Sequence, residues 1–197
     1  TFALARLSEK EIQIAQAGDC MAAVELKNGE VVVSPNQVRA HDMEMNTTIE
    51  RTLREVAQEM FGLPLEAVTD ENRGKVRSEM WDRFYPILIE TRRKDANRLE
   101  SPQGYGILNG QIELLKLLWE RTFLLSEVAT VLLFSDGIVP WSVMRSLSDE
   151  EIGRTVLAEF KRRGLAGLLL SARGIEEQNV ATSYTNQAEA TAIALVF

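Results

Sequence analysis

Strand patterns crowd both ends of this 197-residue chain, and helical patterns fill its middle. That order constrains the fold strongly, because strands far apart in sequence must meet around the helices that separate them. Residues 2–7 and 11–17 alternate apolar and polar side chains across the polar turn Ser8-Glu9-Lys10, which predicts two strands. Cys20 to Leu26 and Glu30 to Val33 flank Lys27-Asn28-Gly29, and an Asn-Gly pair is the strongest short signal for a hairpin. The first quarter therefore predicts an antiparallel meander. Near the other end, the apolar run Val131-Leu132-Leu133-Phe134 predicts a strand that stops at Ser135-Asp136-Gly137. Thr191 to Phe197, apolar and partly β-branched, predicts a closing strand.

Between them, Ile49, Leu53, Val56, Ala57 and Met60 recur at helical spacing from Asn46 until Gly62 and Pro64 stop the pattern. A second helical stretch runs from Glu71 to Asn97, and Pro86 predicts a kink or a division within it. Residues 104–110 read as a short strand between turn glycines, and residues 111–121 as an apolar helix. Ser148-Asp149-Glu150-Glu151 opens another helix, Gly164 is a candidate break, and residues 165–173 form a further helical stretch. The expected fold is α+β, a sandwich of antiparallel sheets flanked by helices in an α/β/β/α arrangement, with one domain over residues 1–197.

Composition excludes several classes. The net charge is −7, and the basic cluster Arg92-Arg93-Lys94 runs straight into Asp95 and reads as a solvated helix end, so nucleic acid is not an expected partner. No apolar stretch reaches the ~20 residues that span a bilayer. Cys20 is the sole cysteine, which rules out an intrachain disulfide and fits a reducing cytoplasm. His41 is the sole histidine, sits in the polar stretch Arg39-Ala40-His41-Asp42, and is expected in a surface loop. A zinc site needing two histidines is excluded, and a metal is expected to take oxygen ligands.

Two strand ends carry an acid beside a glycine: Gly18-Asp19-Cys20 and Ser135-Asp136-Gly137. Glycine lets the backbone turn away, and carboxylates presented side by side can share a hard cation such as Mg2+ or Mn2+. Taken singly, each pair is ordinary turn chemistry, in which Asp caps its own backbone. Cys20 is expected to be a small core residue, and Trp81, Phe84, Trp119 and Phe123 to be packing groups. Thr1 admits another reading, an N-terminal nucleophile hydrolase whose α-amine serves as base for its own hydroxyl.

The whole succession resembles the later part of the metal-dependent protein phosphatases of the type 2C class. It runs from alternating strand, Gly18-Asp19-Cys20, Asn-Gly hairpin and helical middle through Gly104-Tyr105-Gly106-Ile107-Leu108-Asn109-Gly110. It continues with the apolar strand, Ser135-Asp136-Gly137, helices and Ala190-Thr191-Ala192-Ile193-Ala194-Leu195. The resemblance implies hydrolysis of phosphoserine or phosphothreonine in a protein substrate by metal-activated water. It implies Asp136 as a metal ligand, Asp19 as an accessory acid, and Gly18 and Gly137 as backbone at the site. The family's last ligand acid falls at Ala188, where Glu189 is the neighbouring substitute, and Val139-Pro140-Trp141 stands where many members have another acid. The family's early Asp-Gly acid, which bridges its two metals, would precede Phe2, so activity requires that acid to be supplied. The alternative is a catalytically degraded phosphatase fold, a pseudophosphatase acting as a regulatory or binding module for a partner protein.

Overall fold

The computed structural model describes residues 1–177 and 189–197. It is α+β, with seven strands in two antiparallel sheets. Strands β1 (Phe2–Leu7), β2 (Glu11–Ala17) and β5 (Trp119–Leu124) form one sheet in the order β1-β2-β5. Strands β3 (Met21–Leu26), β4 (Val31–Val33), β6 (Val128–Phe134) and β7 (Ala192–Val196) form the other, in the order β4-β3-β6-β7. The expected meander is corrected here: β1 pairs with β2 and β3 with β4, yet the chain changes sheets between β2 and β3. Gly18 makes that crossing in the left-handed region, at φ 82°.

The sheets stack through alternate residues of their strands. Ile12 and Ile14 of β2 meet Ala22, Val24, Val131 and Leu133 of the four-stranded sheet in a dry layer. The opposite face of that sheet, Met21, Ala23, Leu132 and Phe134, packs on Ile152, Val156, Leu157 and Leu168 of helix α4 (Asp149–Glu176). Both sides of β6 are thus buried, which is why its sequence is almost uniformly apolar. The outer face of the three-stranded sheet carries Leu4, Gln13, Glu120 and Thr122 and is open.

Helix α4 begins with a complete capping box. The Ser148 hydroxyl accepts from the Glu151 N–H, and the Glu151 carboxylate accepts from the Ser148 N–H. Gly164, at φ 69° and ψ −178°, breaks the helix, so its last part returns over the first and sets Ser171 against Glu159 at 2.8 Å. The short helix α3 (Trp141–Ser146) precedes it.

Helices α1 (Arg39–Phe61) and α2 (Asp70–Asp95) pack on each other around Leu53, Val56, Val76, Met80 and Phe84. Helix α1 starts well before the expected Asn46. Asn46, Thr47 and Thr48 do not cap a terminus; their side chains donate back to the carbonyls of Asp42, Met43 and Glu44 within the helix. Helix α2 runs through Pro86 undivided. The proline lies on the exposed side, where water can take up the carbonyl it leaves unpaired, while the buried side holds the helix to α1.

Two further expectations fail in the region after α2. Residues 104–110 form no strand, only a parallel bridge between Tyr105 and Ala96. The predicted helix over 111–121 is a short 3-10 turn, Ile112–Lys116, followed by β5. Only Leu114 of that turn is buried; Ile112 and Leu115 are exposed, so the apolar spacing there does not mark a packed helical face.

Candidate functional site

The register of β3 and β6 brings the two acid-bearing turns together. Met21 lies opposite Phe134, so the chain segments that continue past this pair carry Asp19 and Asp136 at the same edge of the sheet. Asp136 opens a 3-10 turn, Asp136–Ile138, and its Oδ1 accepts from the Gly137 N–H at 2.9 Å. The turn chemistry expected of Asp-Gly is therefore present.

Burial pushes the Asp136 carboxyl up to about 6, and the charges of Asp19 and Asp42 push it the same way; the Gly137 N–H opposes the rise. The Asp42 carboxyl is raised as well, by burial first and by Asp19 further, with His41 opposing. Mutual repulsion among these acids places them in one electrostatic unit. Asp42 was not anticipated, because its stretch read as a surface loop. His41 is corrected with it: the side chain is 4% exposed, in the first turn of α1, with its ring 5.6 Å from that of Tyr105.

Gln37, just before α1, builds this corner. Its Oε1 accepts from the Gly18 N–H at 2.9 Å and from the Gly106 N–H at 3.2 Å, and its Nε2 donates to the Leu117 carbonyl at 2.5 Å. Its own N–H donates to the Gly18 carbonyl at 3.0 Å. One side chain thus ties the Asp19 turn, the Tyr105 loop and the approach to β5 to the start of α1. Gln16, fully buried, adds a bond from Nε2 to the Gly18 carbonyl at 2.9 Å. The sequence offered one hint of this corner, the glycines at 18 and 106, but nothing in it linked them to Gln37.

Glu189 borders the same edge through its backbone. Ser135 Oγ donates to the Glu189 carbonyl and accepts from the Thr191 N–H, each at 3.0 Å. The Glu189 side chain is exposed. Ala188 lies outside the described residues. Cys20 is half-buried; burial pushes its thiol up, so it remains protonated, and its Sγ stands 3.6 Å from the Thr1 hydroxyl. That contact engages the hydroxyl that the N-terminal hydrolase reading would use.

A pocket of about 100 Å³ adjoins the acids, lined by Ala3, Cys20, Ser135, Thr191 and Ile193 among others. A broader depression of about 530 Å³ lies on the open face of the three-stranded sheet, along Leu4, Gln13 and Thr122, and none of Asp19, Asp42 and Asp136 lines it. The small pocket is the relevant one, since its walls include the direct neighbours of Asp19 and Asp136.

The donor set suits a hard divalent cation in kind. Carboxylates of like charge at one edge gain from positive charge between them, and Mg2+ is commonly held by one or two carboxylates with water in its other positions. Asp19 and Asp136 fit such a minimal site. Among the described residues, no three His, Cys, Asp or Glu side chains converge on one point, so a closed cage is not assembled from them. No helix among these residues is long and apolar enough to cross a membrane. No protein-family model matches the chain, and no curated protein matches it.

Proposed function

We propose that this chain is a type 2C phosphatase-like domain whose acidic edge binds Mg2+ or Mn2+ and receives a phosphorylated serine or threonine of a protein substrate. The observation that carries this reading is the placement of Asp19 and Asp136 at one edge by the β3–β6 pairing, with Asp136 pushed up to about 6. Asp136 and Asp19 would hold the cation, with Glu189 the nearest further acid along the β7 approach. A cation there would acidify water and offset charge on the phosphoryl oxygens. The chain's own residues supply the rest: Gly137 steadies one Asp136 oxygen, Ser135 fixes the edge to Thr191, and Gln37 fixes the Asp19 turn.

A second reading, a regulatory or binding module on the same fold, is favoured by the lack of a third converging ligand among the described residues. Titration of Mn2+ and Mg2+, followed by an assay on a phosphoserine peptide, separates the two. Cation-dependent hydrolysis that disappears in Asp136→Asn supports the enzyme. Cation binding without hydrolysis supports the module. Absence of any cation binding overturns the metal-dependent reading.

A further inference from the structure

Helix α4 doubles back at Gly164, and the bend leaves a recess of about 270 Å³ between its two arms and the segment that follows Asp136. The walls are mostly apolar: Ile138, Val139 and Val143 on one side, Val156 on the first arm, Leu168 and Ile175 on the returning arm. Thr155, Glu159, Arg162 and Ser171 supply the polar lining. A largely apolar hollow with a few convergent polar groups is the usual form of a small-ligand site.

The charge at this hollow is unbalanced. Arg162 donates from Nε and Nη2 to Glu159 Oε2 at 3.0 and 2.6 Å, Arg163 Nε lies 3.0 Å from Oε1, and Ser171 donates to Oε1 at 2.8 Å. The bonds from Arg162 and Ser171 hold the Glu159 carboxyl below its ordinary range, so it is ionised. Two guanidinium groups therefore share one carboxylate, and one positive charge is left over. The other cations of this arm are matched elsewhere, Arg154 with Glu150 and Lys161 with Glu25, each at 2.8 Å. Arg162 Nη1 makes no hydrogen bond among the described residues, so it can donate to an incoming anion.

We propose that this recess binds a medium-chain carboxylic acid, its hydrocarbon tail between the arms of α4 and its carboxylate on Arg162. A guanidinium suits this headgroup because its planar fork of N–H groups matches a carboxylate. Close packing fills about three-quarters of such a space, which suits a tail on the order of six to eight carbons. None of Asp19, Asp42 and Asp136 lines the recess, so the site does not depend on cation binding at the acidic edge. It adjoins that edge through Val139, whose N–H donates to the Asp136 carbonyl at 2.8 Å.

Octanoate, hexanoate, butyrate and 1-octanol are titrated into the full chain, with affinity read by calorimetry and the methyl signals of Ile138, Val139 and Leu168 followed by NMR. The expected result is one octanoate per chain, with these methyls moving in step with the isotherm. Affinity should fall about threefold to fourfold for each methylene removed from the acid. Arg162→Gln should weaken octanoate by about threefold to tenfold and leave 1-octanol unchanged. Thr155→Phe places bulk at an exposed helix position that lines the recess, and should remove binding of both without disturbing the core. The absence of saturable octanoate binding overturns the site, as does an unchanged octanoate affinity in either variant. An octanol affinity equal to that of octanoate overturns the carboxylate assignment. Methyl signals that move with protein concentration alone place a second copy of the chain in the recess and overturn the small-ligand reading.

Discussion

Asp19 and Asp136 stand at one edge of the four-stranded sheet because Met21 of β3 pairs with Phe134 of β6, and each acid lies just beyond that pair. They come from turns more than a hundred residues apart in the chain, and their charges meet where both strands end. Burial pushes the Asp136 carboxyl up, and the neighbouring Asp19 charge adds to the rise.

That titration predicts a pH dependence. The folded carboxyl is raised to about 6 from 3.8, so between these values the folded state holds more protons than the unfolded state, and stability falls as pH rises. Asp136 should therefore cost the fold on the order of 2 kcal/mol above about pH 6, and nothing below about pH 4. Asp136→Asn should raise the denaturant midpoint at neutral pH and leave it nearly unchanged in acid. Equal effects at both pH values would refute the assignment.

Gln37 predicts a structural penalty. Gln37→Ala leaves the Gly18 and Gly106 N–H groups and the Leu117 carbonyl without their partner. The expected loss is roughly 2–4 kcal/mol, read from chemical denaturation. Amide exchange at Gly18 and Gly106 should accelerate in the same variant, and unchanged protection there would remove Gln37 from this role.

Gly153 tests the packing of α4 on the sheet. A Cβ at this position would lie 2.5 Å from Val33 Cγ2 and 2.6 Å from Val33 Cγ1, so helix and strand have no room for a methyl group. Gly153→Ala should destabilise by about 1–3 kcal/mol despite the better helix propensity of alanine. Combining it with Val33→Ala should recover part of the loss, and a stabilised single variant would contradict the packing.

Asp149 joins the beginnings of two helices. It accepts from the Arg39 guanidinium and from the Asn36 N–H, each at 2.9 Å, and Arg39 also donates to the carbonyls of Met144 and Leu147. Both side chains are partly exposed, so Asp149→Ala should cost about 1–3 kcal/mol, with the penalty reduced in high salt. A thermal melt at two ionic strengths checks it.

The sequence carried the β3–β4 hairpin and strand β6 well, because Asn28-Gly29 and the run into Asp136 are local signals of turn and burial, but not the crossing between sheets at Gly18. It also carried both acids of the edge. It misplaced Trp119–Leu124, since the leucines preceding it fall at helical spacing although only Leu114 among them is fully buried and Leu115 faces solvent. It placed His41 on the surface because its neighbours in sequence are polar, whereas Tyr105, distant in the chain, decides its burial. Asp42 and Gln37 were missed for the same reason: their roles are set by contacts with Gly18, Gly106 and Asp19, which no local pattern encodes.

The central claim is that Asp19 and Asp136 act as one cation-binding unit. Mg2+ affinity measured by calorimetry for the parent chain, Asp19→Asn, Asp136→Asn and the double variant tests it most directly. The account predicts that either single change removes most of the binding and that the second adds little, the non-additivity of two groups sharing one ion. Independent, additive losses, or Mg2+ binding that survives both changes, would contradict it.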